Sequence, residues 1–137
     1  MSDGGPGGDP LYDRVGGQAW FDALVERFYE GVEDDPVLRP LYPEDLAPGK
    51  RHLALFLGQY WGGPGTYSEE RGHPRLRARH LPFPIAEAER DAWVRHMTEA
   101  VRSGGLDEDT EAELLAYLTD AATFLINQRP LDLRPPG

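Results

Sequence analysis

From Gly62 to Pro84 the chain reads GGPGTYSEERGHPRLRARHLPFP, 23 residues whose pattern allows at most one short turn of helix. Extended back to Gln59, the stretch holds four prolines, four glycines and two of the four histidines of the chain. Compact domains rarely tolerate so long an irregular segment unless it binds something. The expectation is a bulky ligand that replaces the missing helix as core, with His80 holding it.

The rest of the chain reads as helix. Past Gly16-Gly17, a helix starts near Gln18 with Phe21, Leu24, Val25, Phe28 and Val32 on one apolar face. Gly31 and Asp34-Asp35-Pro36 are expected to end it, and a short helix from Pro36 to Leu41 follows. After Pro48, Leu53, Phe56, Leu57 and Tyr60 form a buried stripe that Gly62-Gly63-Pro64 stops. The window Glu87–Arg102 is amphipathic through Trp93, Met97, Ala100 and Val101. Asp107 or Asp109 caps a last helix with Leu114, Leu115, Leu118, Ala122 and Leu125 on its apolar face, widened by Tyr117, Ala121 and Phe124. No strand pattern is present, so the fold class is all-α. Leu53–Tyr60 and Glu111–Ile126 are apolar around more than half their circumference and need partners on two sides. They pack on each other alone, or they also clasp an apolar ligand.

A length of 137 residues gives one domain. The Gly/Pro-rich ends, Met1–Pro10 and Arg129–Gly137, read as disordered or flexible tails and leave a domain over residues 11–128. A net charge of -10 argues against nucleic acid, whose phosphates need clustered Lys and Arg. The basic run RLRARH, Arg75 to His80, is either a solvated face or a counter-charge for a ligand's carboxylates. With no cysteine, disulfides, thiolate chemistry and cysteine zinc sites are excluded. No leader and no membrane-length apolar run is visible, so a soluble cytoplasmic protein is the default.

The chain has no HExxH, P-loop or GxGxxG, no carboxylate pair beside a histidine and no persuasive Ser or Thr nucleophile. What remains is a single histidine ligating a cofactor that brings its own chemistry. A haem needs an axial imidazole on a short fixed element, an apolar slot and polar groups at its rim. His80 meets this, with Leu76 one turn before it, Leu81, Phe83 and Ile85 after it, and Pro82 and Pro84 stiffening the backbone. An isolated histidine is more often a surface or core residue, and the context raises His80 above that rate. His73 reads as a hydrogen-bonding loop residue. His52 and His96 read as exposed on their helices, His52 within reach of a haem carboxylate. Tyr29, Tyr42 and Trp93 each offer a ring to pack and a polar hydrogen; spacing alone makes them core aromatics bonded to backbone carbonyls.

Together YDRVGG (Tyr12–Gly17), RFYEGV (Arg27–Val32), LYPED (Leu41–Asp45), Gln59–His80 and ERDAW (Glu89–Trp93) closely resemble the truncated haemoglobins of group II, the O-type, over nearly the whole ordered chain. The resemblance implies a shortened globin, two helices over two around a five-coordinate b-type haem, with the proximal helix reduced to a loop and one turn. His80 matches the family's iron ligand; Tyr29, Tyr42 and Trp93 match its three distal hydrogen-bonding residues. Gly49 falls where longer globins keep a distal histidine, and Leu53 and Phe56 line the pocket one and two turns on. Tyr67, Arg79 and His52 become the propionate partners. O2 and other small diatomic molecules are the implied ligands, for oxygen binding or carriage. The alternative is a redox enzyme, an NO dioxygenase or peroxidase-like protein, served by a separate reductase. A cofactor-free helical interaction domain leaves Gly62–Pro84 unexplained. The acidic surface neither requires nor forbids a homodimer.

Overall fold

A computed structural model describes residues 10–127, so the expected tails lie, apart from Pro10, outside the described residues. All regular structure among these residues is helical: α1 (Leu11–Val15), α2 (Gln18–Glu33), a 3-10 turn (Arg39–Leu41), α3 (Ala47–Tyr60), α4 (Thr66–Arg71), α5 (Leu76–His80), α6 (Glu87–Arg102) and α7 (Glu108–Phe124). α2 pairs with α3 and α6 with α7, and α2 also packs on α6. This is the two-over-two arrangement.

α2 buries the expected face of Phe21, Leu24, Val25, Phe28 and Val32, and Tyr29 with it. It runs through Gly31 to Glu33 and does not stop at the glycine. Gly31 serves packing: a Cβ there would collide with the ring of His96. The chain turns after Asp35, whose buried carboxylate accepts from the amides of Val37 (2.7 Å) and Leu38 (3.3 Å). Only Arg39–Leu41 of the expected Pro36–Leu41 helix is helical, and as a 3-10 turn.

α3 divides its apolar surface. Ala54, Leu57 and Gly58 are buried, and the Gln18 amide donates across to the Ala54 carbonyl (2.9 Å). Tyr60, expected to be buried, is 51% exposed and stacks on Tyr117 with ring centres 4.0 Å apart. α7 starts at Asp107, whose carboxylate accepts from the Thr110 amide (2.7 Å). Its widened face is partly outside as well, with Phe124 56% exposed beneath the Arg77 guanidinium.

The 62–84 segment holds more helix than its composition suggests: α4 and α5, of six and five residues. Each is fixed by side chains from elsewhere. Gln59 bonds both the amide and the hydroxyl of Ser68 in α4 (3.0 and 2.8 Å). Arg75 enters α5 in the left-handed region (φ 47°), its amide bonded to His73 Nδ1 (3.1 Å), the loop role expected of that histidine. Such short helices show no periodicity in sequence and do not hold themselves together in water.

Candidate cofactor site

Between the two helical pairs and the 62–85 wall lies a cavity of about 410 Å³, within the usual size of ligand pockets. Tyr29, Tyr42, His52, Leu53, Phe56, Tyr67, Arg79, His80 and Trp93 all line it, as does Gly49. α7 closes one side with Tyr117, Leu118, Ala121 and Ala122, and Leu125 just past its end. The two helices that needed apolar partners on two sides therefore find one in protein and the other in this cavity. Leu81 does not take part and is 62% exposed.

His80 Nδ1 lies 2.6 Å from the carbonyl of Leu76, one turn back in α5. A carbonyl can only accept, so Nδ1 carries the hydrogen and the neutral ring keeps its lone pair on Nε2. The bond also fixes the ring's orientation, as the outer partner of a ligating histidine does.

Tyr29 and Trp93 flank Phe28, and Tyr42 joins them through Tyr29. Phe28 meets Tyr29 and Trp93 edge-on, both at 5.4 Å, and Tyr29 meets Tyr42 at 5.6 Å. Their O–H and N–H groups make no hydrogen bond to backbone carbonyls among the described residues, unlike Trp20, whose indole donates to Gly104 (3.0 Å). Buried polar hydrogens normally have partners. Among the described residues Tyr29 has none, and the Trp93 N–H and the Tyr42 hydroxyl have only each other, so this wall of a largely apolar cavity marks a place for a ligand that accepts. Burial pushes the Tyr29 hydroxyl up to about 12. Burial and then proximity to Tyr29 push Tyr42 up as well, against a smaller opposing influence of the Trp93 N–H. Both phenols therefore remain protonated donors.

Gly49, marked by the resemblance, and Arg39, which sequence patterns did not mark, help set the positions of these donors. Gly49 brings the α3 backbone close to Tyr29; a Cβ on it would stand 2.8 Å from the phenol oxygen. Arg39 donates to the carbonyls of Tyr42 (3.2 Å), Pro43 (3.0 Å) and Glu44 (3.1 Å), pinning the strand of backbone that carries Tyr42. Its signal was faint: a prolyl-rich turn leaves carbonyls in want of donors.

At the rim, Tyr67 is buried and edges onto Phe56 at 5.5 Å. The Arg79 guanidinium is braced by the carbonyls of Pro74 (2.8 Å) and Arg71 (2.9 Å). His52 is half-buried on the lining, not exposed as expected. Burial first, and then Arg71, lower its pKa and favour the neutral ring. Arg71, which sequence reasoning passed over, also lines the rim. His96 is away from the cavity and only 15% exposed, against expectation, because its Nε2 meets Asp35 Oδ2 at 2.6 Å.

Residues 10–127 match the bacterial-like globin family. The Group 2 truncated hemoglobin YjbI of Bacillus subtilis is 44% identical over 117 residues, covering 85% of this chain and 88% of that protein. The chain belongs to the group II truncated haemoglobins. Solved structures agree with this membership. The hemoglobin of the thermophilic phototroph Chloroflexus aurantiacus is 51% identical with a TM-score of 0.86, covering 88% of this chain and 99% of that one. A truncated oxygen-avid haemoglobin from Bacillus subtilis is 41% identical with a TM-score of 0.82, covering 87% and 100%. A truncated haemoglobin implies a haem cofactor, and the residues here suit one: a free imidazole nitrogen, an apolar slot and cationic or polar side chains at its edge.

Proposed function

We propose that this truncated haemoglobin binds O2 at a five-coordinate b-type haem ligated by His80 Nε2. The observation that carries the reading is the Nδ1–H bond of His80 to Leu76, which leaves Nε2 free in a cavity also lined by the polar hydrogens of Tyr29, Tyr42 and Trp93. A chain without cysteine cannot attach a haem by thioether bonds, which favours the b type. When bound, the ferrous haem supplies reversible affinity for small diatomic ligands. Leu53 and Phe56 exclude water from it. Tyr67, Arg79 and His52, with Arg71, stand where the haem carboxylates would meet solvent.

Tyr29, Tyr42 and Trp93 offer hydrogens to a diatomic ligand that gathers negative charge. Each such bond contributes about 1.5–3 kcal/mol, so one donor slows release by about ten- to a hundredfold. Slow release suits retention better than simple carriage. It is equally useful to an oxidase of NO or a peroxidase-like enzyme.

Addition of hemin should give a Soret band, and His80→Ala should abolish the five-coordinate ferrous spectrum. A normal spectrum in His80→Ala would move the ligand elsewhere. Trp93→Phe and Tyr42→Phe should speed O2 dissociation about tenfold or more in stopped flow; unchanged rates in both would refute the donor mechanism. Turnover of NO or peroxide with a reductase distinguishes catalysis from storage.

A further inference from the structure

Beyond α7 the chain folds back onto the residues that follow His80, and Asn127 makes the junction. Its Nδ2 donates to the carbonyls of His80 (3.1 Å) and Phe83 (2.9 Å). Its Oδ1 accepts from the Ile85 amide (2.9 Å), and its own amide donates to the Ile85 carbonyl (2.8 Å). On the other side of His80, Arg77 donates to the Phe124 carbonyl at the end of α7 (2.7 Å) and covers the Phe124 ring (5.1 Å). α5 is thus sewn to the end of α7 before and after the histidine.

The need for this follows from local chemistry. A five-residue helix is far below the length that is stable alone. Pro82 and Pro84 have no N–H, so within the 80–85 turn only the Phe83 amide reaches back to the His80 carbonyl (3.0 Å). Asn127 supplies donors and an acceptor that the turn lacks.

We propose that Asn127 is a positioning residue for His80, fixing the peptide that carries the imidazole and tying its orientation to the end of α7. This rests on the haem reading above. The test uses the full chain as wild type, Asn127→Ala and Asn127→Asp, each with hemin and as apoprotein. Asn127→Ala loses all three side-chain bonds. Asn127→Asp keeps the acceptor for Ile85 but loses both donors to the His80 and Phe83 carbonyls, and it carries the test should Asn127→Ala not fold.

In both variants the iron–histidine stretching band of the reduced protein should shift and broaden. Hemin transfer to apomyoglobin should be about ten times faster, as for one to two net hydrogen bonds lost. In the apoprotein the Ile85 amide should exchange faster in Asn127→Ala and stay protected in Asn127→Asp. Folded variants that keep both the wild-type band and the wild-type hemin loss would overturn the assignment. Should wild type take up no hemin, the haem reading itself fails, and the Ile85 exchange then tests the junction: unchanged protection in Asn127→Ala overturns it.

Discussion

Gly49 sets stability and ligand retention against each other. It lies in the first turn of α3, where alanine is a better helix former by up to about 1 kcal/mol. Yet a Cβ would sit 2.8 Å from the Tyr29 oxygen and push the phenol out of place. Gly49→Ala should therefore keep or slightly raise the thermal midpoint while speeding O2 release several-fold. Paired melting and stopped-flow measurements check this, and an unchanged release rate would remove Tyr29 from the set of donors. The same crowding explains why a histidine side chain on α3 at this position is incompatible with the observed Tyr29.

At the scale of elements, the joint between the end of α2 and α6 is a buried carboxylate bonded by an imidazole and a guanidinium. Asp35 Oδ2 meets His96 Nε2 at 2.6 Å and Arg95 Nη2 at 3.1 Å. The His96 bond is the main cause holding its carboxyl below the ordinary 3.8. Because the folded value is depressed, the stability Asp35 adds is complete above the unfolded value and vanishes as pH falls through the folded one. Asp35→Asn should lower the urea midpoint at neutral pH, and its gap from wild type should close as the pH drops below 3.8; a gap independent of pH would refute this. Gly31→Ala attacks the same joint from α2 by displacing the His96 ring. Overpacking of this kind costs about 1–3 kcal/mol, so the midpoint should fall by several degrees despite the better helix former. The long helices were legible because each carries a 3.6-residue apolar period. α4 and α5 were not, since Gln59 and Asn127 hold them from outside. The burial of His96 was hidden for the same reason: its partner is 61 residues away.

For the whole molecule, α3 and α7 turn apolar faces toward a cavity, so much of the core is completed only by what fills it. A ligand at 1,000 times its dissociation constant stabilises by about 4 kcal/mol, and at roughly 3–5 °C per kcal/mol in a domain of this size hemin should raise the melting midpoint by about 10–20 °C. A midpoint indifferent to hemin would mean that protein contacts alone close the core. Tyr29, Tyr42, Tyr67, Arg79, His80 and Trp93 could be placed on the cavity from sequence because their motifs fall in one recognisable order, while the supports Arg39 and Asn127 act across turns or from some 45 residues away and leave no local trace. The two short helices of the wall have one more consequence. Helices of six and five residues cannot nucleate unaided, so the frame of α2, α3, α6 and α7 should form first and the wall settle last, around the incoming cofactor. Cofactor capture would then include a unimolecular ordering step: with rising hemin concentration its rate should level off at a plateau set by how fast the wall assembles.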